Sequence, residues 1–185
     1  MPAVLTNQKW TYERMLAELP SGSRYELIND ELIPMSPSPK NIHQEICAEF
    51  YDLLKSFIRK TKQGKVYFAP FDVVLDNQTV VEPDILFIKT ENLGIIKGHV
   101  HGVPDLIVEV VSPSSIFRDY YEKKNLYERF GVAEYWIINP ANENITVFKL
   151  VDSVYTLHAE VSEEGSISSN LLPDFEVNLS DIFQK

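Results

Sequence analysis

The sequence predicts an α/β (α+β) fold, in which a mixed central sheet is flanked by helices. Apolar residues recur at helical spacing in two long segments, and shorter apolar runs typical of strands lie between and after them. The order helix, three strands, helix, strand indicates a strand meander followed by a helical crossover. With 185 residues, 44% of them hydrophobic, the chain can bury a core, and we expect one domain over residues 1–185.

Cap and turn residues predict a short helix and an N-terminal hairpin before residue 40. Thr11 is expected to cap the helix, and Pro20 to end it. Two strands, over residues 24–28 and 31–35, flank the pair Asn29-Asp30, which favours a tight two-residue turn.

A long helix is expected from Asn41 to about Lys60, because apolar residues recur there every three or four positions. Gly64 is expected to stop it. The apolar stripe of this helix consists of Ile42, Ile46, Phe50, Leu53, Leu54 and Phe57.

The middle of the chain is expected to contribute strands to the sheet. These strands are residues 66–75, 80–89 and 105–111. The segment between the last two is expected to be a polar loop, because it contains Gly94, Gly98, His99, His101 and Gly102. A second long helix should follow Ser112 and continue to about Phe130, where Gly131 closes it.

The C-terminal part is expected to add a strand, a β-hairpin and a docking tail. The strand covers residues 134–138, the hairpin residues 145–150 and 154–160, and the tail residues 171–183. The tail mixes apolar residues with helix caps, so we expect it to pack on the core.

Glu109 is the most informative residue of the sequence. It lies within the apolar run Leu-Ile-Val-Glu-Val-Val that follows Asp105. Side chains alternate along a strand, so Glu109 shares one face with Asp105, Ile107 and Val111. A carboxylate in such surroundings is costly to bury unless it is paired, protonated or bound to metal.

Asp84 is the preferred partner of Glu109. Asp105 lies four residues from Glu109, roughly 13 Å at strand rise, whereas two oxygens on one Mg²⁺ lie only about 3–4 Å apart. Asp84 stands at the start of the preceding strand and can lie beside Glu109 across a sheet. Asp105 remains a further candidate, with bonding to local backbone amides at the strand entry as its structural alternative.

The second long helix carries a lysine on its apolar face. This stripe consists of Ile116, Phe117, Tyr120, Tyr127 and Phe130. Lys123 falls within the stripe, and Lys124, a further candidate, falls nearer its edge. A lysine that faces the sheet needs an anionic partner, which Asp84 and Glu109 would supply. A snorkelling lysine paired only to Asp119 is favoured equally by the pattern.

Asp84, Glu109 and Lys123 together have the chemical logic of phosphodiester cleavage. Two carboxylates can hold Mg²⁺, or Mn²⁺ in its place, so that the metal polarises the scissile phosphate and lowers the pKa of a bound water. A lysine can stabilise the developing negative charge. We therefore hypothesise a metal-dependent endonuclease that acts on DNA, although the pattern does not separate DNA from RNA.

The charge of the chain favours a second hypothesis. The formal net charge is −10, which counts against a protein that coats nucleic acid, because affinity for phosphates comes largely from Lys and Arg. A carboxylate site that binds a cation would also add negative charge. The alternative is a catalytically inactive, dimeric binding or regulatory module of the same fold.

Other kinds of site have weaker support. Cys47 is the single cysteine, which excludes an internal disulfide and a four-cysteine zinc site, and its position after Ile46 indicates a core thiol. His99 and His101 are too few to indicate zinc. No signal-like or membrane-length apolar run occurs, so we expect a cytoplasmic protein without membrane contact.

Several short motifs follow one another between residues 24 and 140. They are Arg24-Tyr-Glu-Leu-Ile28, Met35-Ser-Pro-Ser-Pro39, His43-Gln44, Pro83-Asp84, Pro104-Asp-Leu-Ile-Val-Glu-Val-Val-Ser-Pro-Ser114, Asp119-x3-Lys123-x3-Tyr127-x3-Gly131-Val132 and Glu134-Tyr135-Trp136. In this combination the sequence resembles the PD-(D/E)XK nuclease superfamily, and within it the Uma-type restriction endonuclease family, a former domain of unknown function.

The resemblance implies a restriction-endonuclease-like fold with its core at about residues 24–140, metal-dependent cleavage of phosphodiester bonds and, often, a homodimer. It matches Asp84 to the motif aspartate and Glu109 to the acidic residue of the (D/E)XK element. Val111 stands at the usual lysine position, and the resemblance implies that Lys123 of the following helix takes that role.

Glu26 and His43 also match family positions and would complete the metal shell. Their structural alternatives are a surface carboxylate of the hairpin and a histidine on a helix face.

Overall fold

The main sheet of the structure is mixed, as the sequence predicts, and a second sheet lies beside it. The structure is a computed structural model that describes residues 9–20, 22–35 and 40–183. The Ser-Pro motif at residues 36–39 therefore lies outside the described residues. The helices are α1 (Tyr12–Glu18), α2 (Asn41–Thr61), α3 (Lys124–Phe130) and α4 (Leu179–Ile182), with a 3-10 helix at Thr90–Ile95 and a π-helix at Arg118–Lys123.

The strands occur in chain order between these helices. They are β1 (Tyr25–Ile28), β2 (Glu31–Pro34), β3 (Gly64–Phe68), β4 (Val73–Asp76), β5 (Thr79–Val81), β6 (Ile85–Lys89), β7 (Ile96–Lys97), β8 (His99–His101), β9 (Leu106–Val110), β10 (Glu134–Asn139), β11 (Asn144–Val151), β12 (Val154–Ser162), β13 (Ser166–Ser168) and β14 (Glu176–Asn178). The main sheet has the order β12-β11-β10-β9-β6-β3, and the peripheral sheet the order β2-β1-β5-β4-β8-β7. Strands β13 and β14 pair with each other.

The centre of the main sheet is built as the predicted crossover requires. Strands β9 and β10 are parallel, and the π-helix and α3 connect them. The other neighbours in this sheet, including β6 and β9, are antiparallel. Glu134 to Ile138 of β10 lie opposite Leu106 to Val110 of β9 in unbroken register.

The two faces of the main sheet bury different partners. One face packs against α2 through Ile46, Phe50 and Leu54, and against the C-terminal tail through Leu172 and Phe175. This confirms the docking tail, and each fully buried side chain of this size contributes about 1.5–3 kcal/mol. The other face carries Leu86, Ile107 and Ile137 and packs against α3. Val108 and Val110, the neighbours of Glu109 in β9, belong to the first face, so the Glu109 side chain points to the α3 side.

Several predicted elements are confirmed. The Thr11 hydroxyl accepts a hydrogen bond from the Arg14 amide at 3.2 Å and caps α1. Strands β1 and β2 form the hairpin, and both turn residues, Asn29 and Asp30, have positive φ. The C-terminal hairpin is β11 with β12, and Gly131 closes α3 with φ 86°.

Two predicted strands are wrong because each is two strands in different sheets. Residues 66–75 divide into β3 of the main sheet and β4 of the peripheral sheet, and residues 80–89 divide into β5 and β6. A proline lies at each break, Pro70 in the first and Pro83 in the second. Proline has no amide hydrogen and cannot continue a central ladder, so the chain leaves one sheet and enters the other there.

The expected polar loop between residues 90 and 104 is also wrong. It contains the 3-10 helix and the strands β7 and β8, and Val100 of β8 is fully buried. The prediction relies on glycine and histidine content, but β8 lies between β4 and β7 in the peripheral sheet and buries only its middle residue.

Gly64 does not stop α2. The helix ends at Thr61, and Lys62 adopts the left-handed conformation with φ 57°. Gly64 begins β3, where a Cβ would lie 2.1 Å from the Ile88 carbonyl oxygen. The glycine is therefore required by a close approach of two strands rather than by a helix end.

The second long helix differs from its prediction at its beginning. Residues 113–117 form a turn and a short helical stretch, the π-helix follows, and only Lys124–Phe130 is α3. Ile116 and Phe117 are 46% and 65% exposed, so they do not belong to the buried stripe. Ile42 of α2 is likewise exposed. Within the described residues, none of the helices has the length and apolar character needed to cross a membrane.

Candidate active site

Glu109 forms the centre of a buried ionic cluster between the main sheet and α3. Glu109 is 4% exposed. Its Oε1 accepts hydrogen bonds from Lys123 Nζ at 2.8 Å and from Tyr127 OH at 2.7 Å. Burial raises the pKa of Glu109, and the positive charge of Lys123 opposes this shift. The carboxylate is therefore paired, as its position in an apolar strand requires.

Lys123 connects two carboxylates. It is 5% exposed, and its Nζ lies 2.8 Å from Glu109 Oε1 and 3.0 Å from Glu26 Oε1. Burial alone would lower the pKa of Lys123, but the charges of Glu109, Glu26 and Asp119 raise it well above its ordinary value. The alternative of a lysine paired only to Asp119 is therefore wrong.

The π-helix positions this lysine. It spans Arg118–Lys123, immediately before α3, and its buried residues are Asp119 and Lys123. With Tyr127 of α3, these residues form a series at intervals of four that faces the sheet. Local π-helical turns within helices occur frequently at functional sites.

Glu26 enters the cluster from the peripheral sheet. It is 1% exposed, so it is not a surface carboxylate of the hairpin. Its Oε1 pairs with Lys123, and its Oε2 lies 3.4 Å from Arg118 Nη1. The ionic cluster thus joins β1, the π-helix and β9.

Asp84 lies where the chain enters β6. The register pairs Ile85 with Val108, so the residue before Ile85 falls beside Glu109 on the neighbouring strand. Asp84 Oδ2 accepts a hydrogen bond from the Val110 amide at 2.8 Å. The negative charge of Asp84 contributes to the raised pKa of Glu109, after burial and against the opposing charge of Lys123.

His43 of α2 contacts Asp84 from the opposite side. Its Nε2 lies 3.3 Å from Asp84 Oδ2, and its Nδ1 lies 3.5 Å from Cys47 Sγ. Burial lowers the pKa of His43, but the hydrogen bond and the charge of Asp84 outweigh this effect, so the pKa is raised. His43 is therefore a partner of Asp84 rather than a histidine that merely faces solvent.

The structure does not bring two other candidates into the cluster. Asp105 Oδ2 accepts from the Lys89 amide, and its Oδ1 accepts from the Asn92 side-chain amide, both at 2.8 Å. This is the structural alternative given above for a Pro-Asp strand entry. Lys124 Nζ lies 4.6 Å above the Phe148 ring.

Three members of the cluster were not assigned a chemical role from the sequence. The sequence pattern places Tyr127 in an apolar stripe and Asp119 beside Lys123, and it indicates no partner for Arg118. Burial raises the pKa of Asp119 to about 6, although Lys123 opposes the shift. The repeat Asp-x3-Lys-x3-Tyr was the available signal, since residues four apart share a helix face.

The donor set fits a hard divalent cation. Mg²⁺ prefers carboxylate oxygens and water, and Asp84 and Glu109 offer two carboxylates on adjacent strands. The hydrogen bonds of Glu109 within the described residues involve Oε1, which leaves Oε2 for another ligand. Four carboxyl groups, of Glu26, Asp84, Glu109 and Asp119, accompany two cationic side chains. A bound cation would favour the ionised forms of these carboxyl groups, against the burial that raises the pKa of Glu109 and of Asp119.

Comparison with known proteins gives one family and one fold. A family model described as "Uma2: Putative restriction endonuclease" matches residues 11–180. The chain is also similar to the crystal structure of "a putative nuclease belonging to DUF820 from Anabaena variabilis ATCC 29413". The TM-score is 0.75 at 15% sequence identity, and the match covers 94% of this chain and 97% of that chain, which shows the fold. No curated protein matches the chain.

Proposed function

The chain belongs to the Uma2 family, described as putative restriction endonucleases, and on this premise we propose that it hydrolyses phosphodiester bonds of DNA with Mg²⁺ as cofactor. The family agrees with the one that the sequence motifs predict. The observation that supports the activity is the buried contact of Lys123 Nζ with Glu109 Oε1. A cation and a carboxylate held in this way, beside Asp84, are the groups that such hydrolysis needs.

Asp84 and Glu109 would hold the metal, for which Mn²⁺ could substitute. When bound, the ion supplies a Lewis acid for the phosphate and lowers the pKa of a coordinated water. His43 orients Asp84 through the 3.3 Å contact, and the Val110 amide fixes the same carboxylate oxygen. Tyr127 fixes Glu109 through its hydroxyl. These contacts keep both carboxylates in place before the substrate arrives.

Lys123 would act on the substrate through charge. Its raised pKa keeps the amine protonated at neutral pH. A cation in a water-poor site stabilises negative charge that develops on the phosphate more strongly than it would in bulk water. Glu26 holds the amine from its second side at 3.0 Å and so limits its motion.

Cleavage of supercoiled plasmid DNA tests this function. We expect the purified protein to cut the plasmid in Mg²⁺ or Mn²⁺, and Lys123→Ala to lower the rate on the order of 10²-fold, because a preorganised cation is lost. Lys124→Ala is the matched control, and its rate should stay near wild type because Lys124 Nζ lies over Phe148.

Two further variants test the ligands. Asp84→Asn and Glu109→Gln should lose both cleavage and ion binding. A wild-type protein that leaves DNA and RNA uncut in both ions, and binds neither ion, would show that the proposal is wrong. Cleavage of RNA alone would keep the chemistry and change the substrate.

The runner-up function is an inactive, dimeric binding or regulatory module. The net charge of −10 and Val111 at the usual lysine position favour it. Ion binding that depends on Asp84 and Glu109, without cleavage of any nucleic acid, would support this function. Under both functions we propose one domain and a homodimer. Light scattering of the purified chain would measure the molar mass and so test the dimer.

A further inference from the structure

A second group of potential metal ligands lies next to the ionic cluster. His43, Cys47 and Asp84 each offer one ligand atom, and these atoms lie within 4.8 Å of one another. Over the described parts of the chain, this is the group of three or more His, Cys, Asp or Glu residues that meets this spacing. His43 and Cys47 are one helical turn apart on α2, so both point to the sheet edge where Asp84 begins β6.

The three potential ligand atoms lie within 4.8 Å of one another, somewhat wider than the spacing around one tetrahedral ion. His43 Nε2 lies 3.3 Å from Asp84 Oδ2, and Cys47 Sγ lies 3.5 Å from the His43 ring. Ligand atoms bound to one Zn²⁺ at the usual bond lengths are about 3.3–3.6 Å apart. Because the ring contacts Cys47 through Nδ1 and Asp84 through Nε2, one nitrogen would bind the ion after a small rotation of a side chain.

The ligand chemistry differs from that of Asp84 with Glu109. Thiolate and imidazole favour Zn²⁺ and similar transition-metal ions, whereas Mg²⁺ favours oxygen ligands. An ion that binds Cys47 displaces the thiol proton to solvent, because the thiolate is the ligand. The group is therefore suited to an ion other than the proposed Mg²⁺ cofactor.

A cleft lies against two of the three residues of this group. A cavity of about 200 Å³ is lined by Cys47 and Asp84, together with Gln44, Tyr51 and Phe68. One water takes up about 30 Å³ of liquid, so the cleft can admit a hydrated ion. Water in the cleft can also complete the fourth position of a tetrahedral site.

We propose that His43, Cys47 and Asp84 form a binding site for a transition-metal ion of the Zn²⁺ type. The site shares Asp84 with the proposed Mg²⁺ site, and this part of the inference rests on the proposed function. The Asp84 carboxylate has His43 on one side and Glu109 on the other. It binds one ion more strongly than it would bind two ions at once. Zn²⁺ therefore competes with Mg²⁺ and inhibits Mg²⁺-dependent cleavage.

Titration of the metal-free protein with Co²⁺ tests the site, because bound thiolate gives cobalt an intense charge-transfer absorption in the near ultraviolet. The chain has one cysteine, so this band reports Cys47 alone. We expect the band to saturate at one Co²⁺ per chain, and Zn²⁺ to abolish it. It should be lost in Cys47→Ser.

The other two ligands and a control complete the titration. His43→Gln and Asp84→Asn should weaken Co²⁺ binding at least about tenfold, since even indirect partners of metal ligands cost 10–100-fold. His101→Gln, an exposed histidine outside the group, should leave the titration unchanged. A wild-type titration without the thiolate band, or a band retained in both ligand variants, would overturn the site.

The readout separates this inference from the proposed function because it needs no cleavage. A protein that shows the band but cuts no nucleic acid keeps the site and loses the nuclease. A protein that cuts DNA without the band does the reverse. Added Mg²⁺ should raise the apparent dissociation constant for Co²⁺, and an unchanged constant would overturn the sharing of Asp84.

Discussion

At the scale of single residues, the cluster depends on mutual neutralisation of buried charges. Burial raises the pKa of Glu109, and the Lys123 amine opposes the shift from 2.8 Å. Glu26 pairs with the same amine, so Lys123 compensates two carboxylates. Loss of one partner of a buried ion pair costs about 3–5 kcal/mol, because the other charge stays buried. The residues proposed for catalysis therefore also stabilise the fold.

Tyr127→Phe tests how strongly the cluster depends on one donor. The substitution keeps the ring and removes the hydroxyl that donates to Glu109 Oε1. Glu109 Oε1 keeps its hydrogen bond from Lys123, so the loss is that of one hydrogen bond, and we expect the free energy of unfolding in urea to fall by about 0.5–1.5 kcal/mol. Tyr121→Phe is the control, because Tyr121 is exposed and stacks on Phe117. Equal effects of the two variants would contradict the prediction.

At the scale of elements, the site depends on where strands end. The break at Pro83 takes the chain from β5 of the peripheral sheet to β6 of the main sheet, and Asp84 is the first residue after it. The π-helix before α3 directs Lys123 to the same place. Interruptions of regular structure therefore supply two of the three proposed catalytic residues, while Glu109 comes from the middle of β9.

Gly64→Ala tests the strand pair that closes this side of the main sheet. The new Cβ would lie 2.1 Å from the Ile88 carbonyl oxygen, so β3 and β6 must separate. We expect a loss of about 1–3 kcal/mol in the free energy of unfolding, as in other overpacked sites. Gly94→Ala is the control, because no atom lies within 4 Å of its added Cβ. A Gly64→Ala protein as stable as the control would contradict the close approach.

At the scale of the whole molecule, charge decides when the site can work. The net charge of −10 gives no general attraction for phosphates, and the positive charge of Lys123 is already paired with Glu26 and Glu109. A divalent cation reverses the local balance. Both the binding of nucleic acid and its cleavage should therefore depend on the metal.

Thermal unfolding with and without Mg²⁺ tests this dependence. An ion that binds only the folded state at 100 times its dissociation constant stabilises it by about 2.7 kcal/mol. For a chain of this size that raises the Tm by about 5–10 °C. Asp84→Asn should lose the increase. Asp105→Asn should keep it, because Asp105 bonds Lys89 and Asn92 away from the cluster. An increase that persists in Asp84→Asn would place the ion elsewhere.

Local pattern was enough to predict much of this protein. The N-terminal hairpin, α2, the C-terminal hairpin and the family follow from periodicity, turn residues and motifs in the sequence. Glu109 stands out because an acidic residue interrupts an apolar strand, and Lys123 because it falls on a helix face among aromatic residues. These signals are local, since each depends on residues within two or three turns or strand repeats.

Contacts between distant segments decided the rest. Three features join residues that are far apart in the chain. Two expected strands are divided between two sheets, Glu26 is buried against Lys123, and Cys47 lies near Asp84. Local propensity does not contain these contacts, because the burial of a strand face or a helix face depends on the segment that packs on it. For the same reason Ile116 and Phe117, which fit an apolar stripe in the sequence, remain exposed in the folded chain.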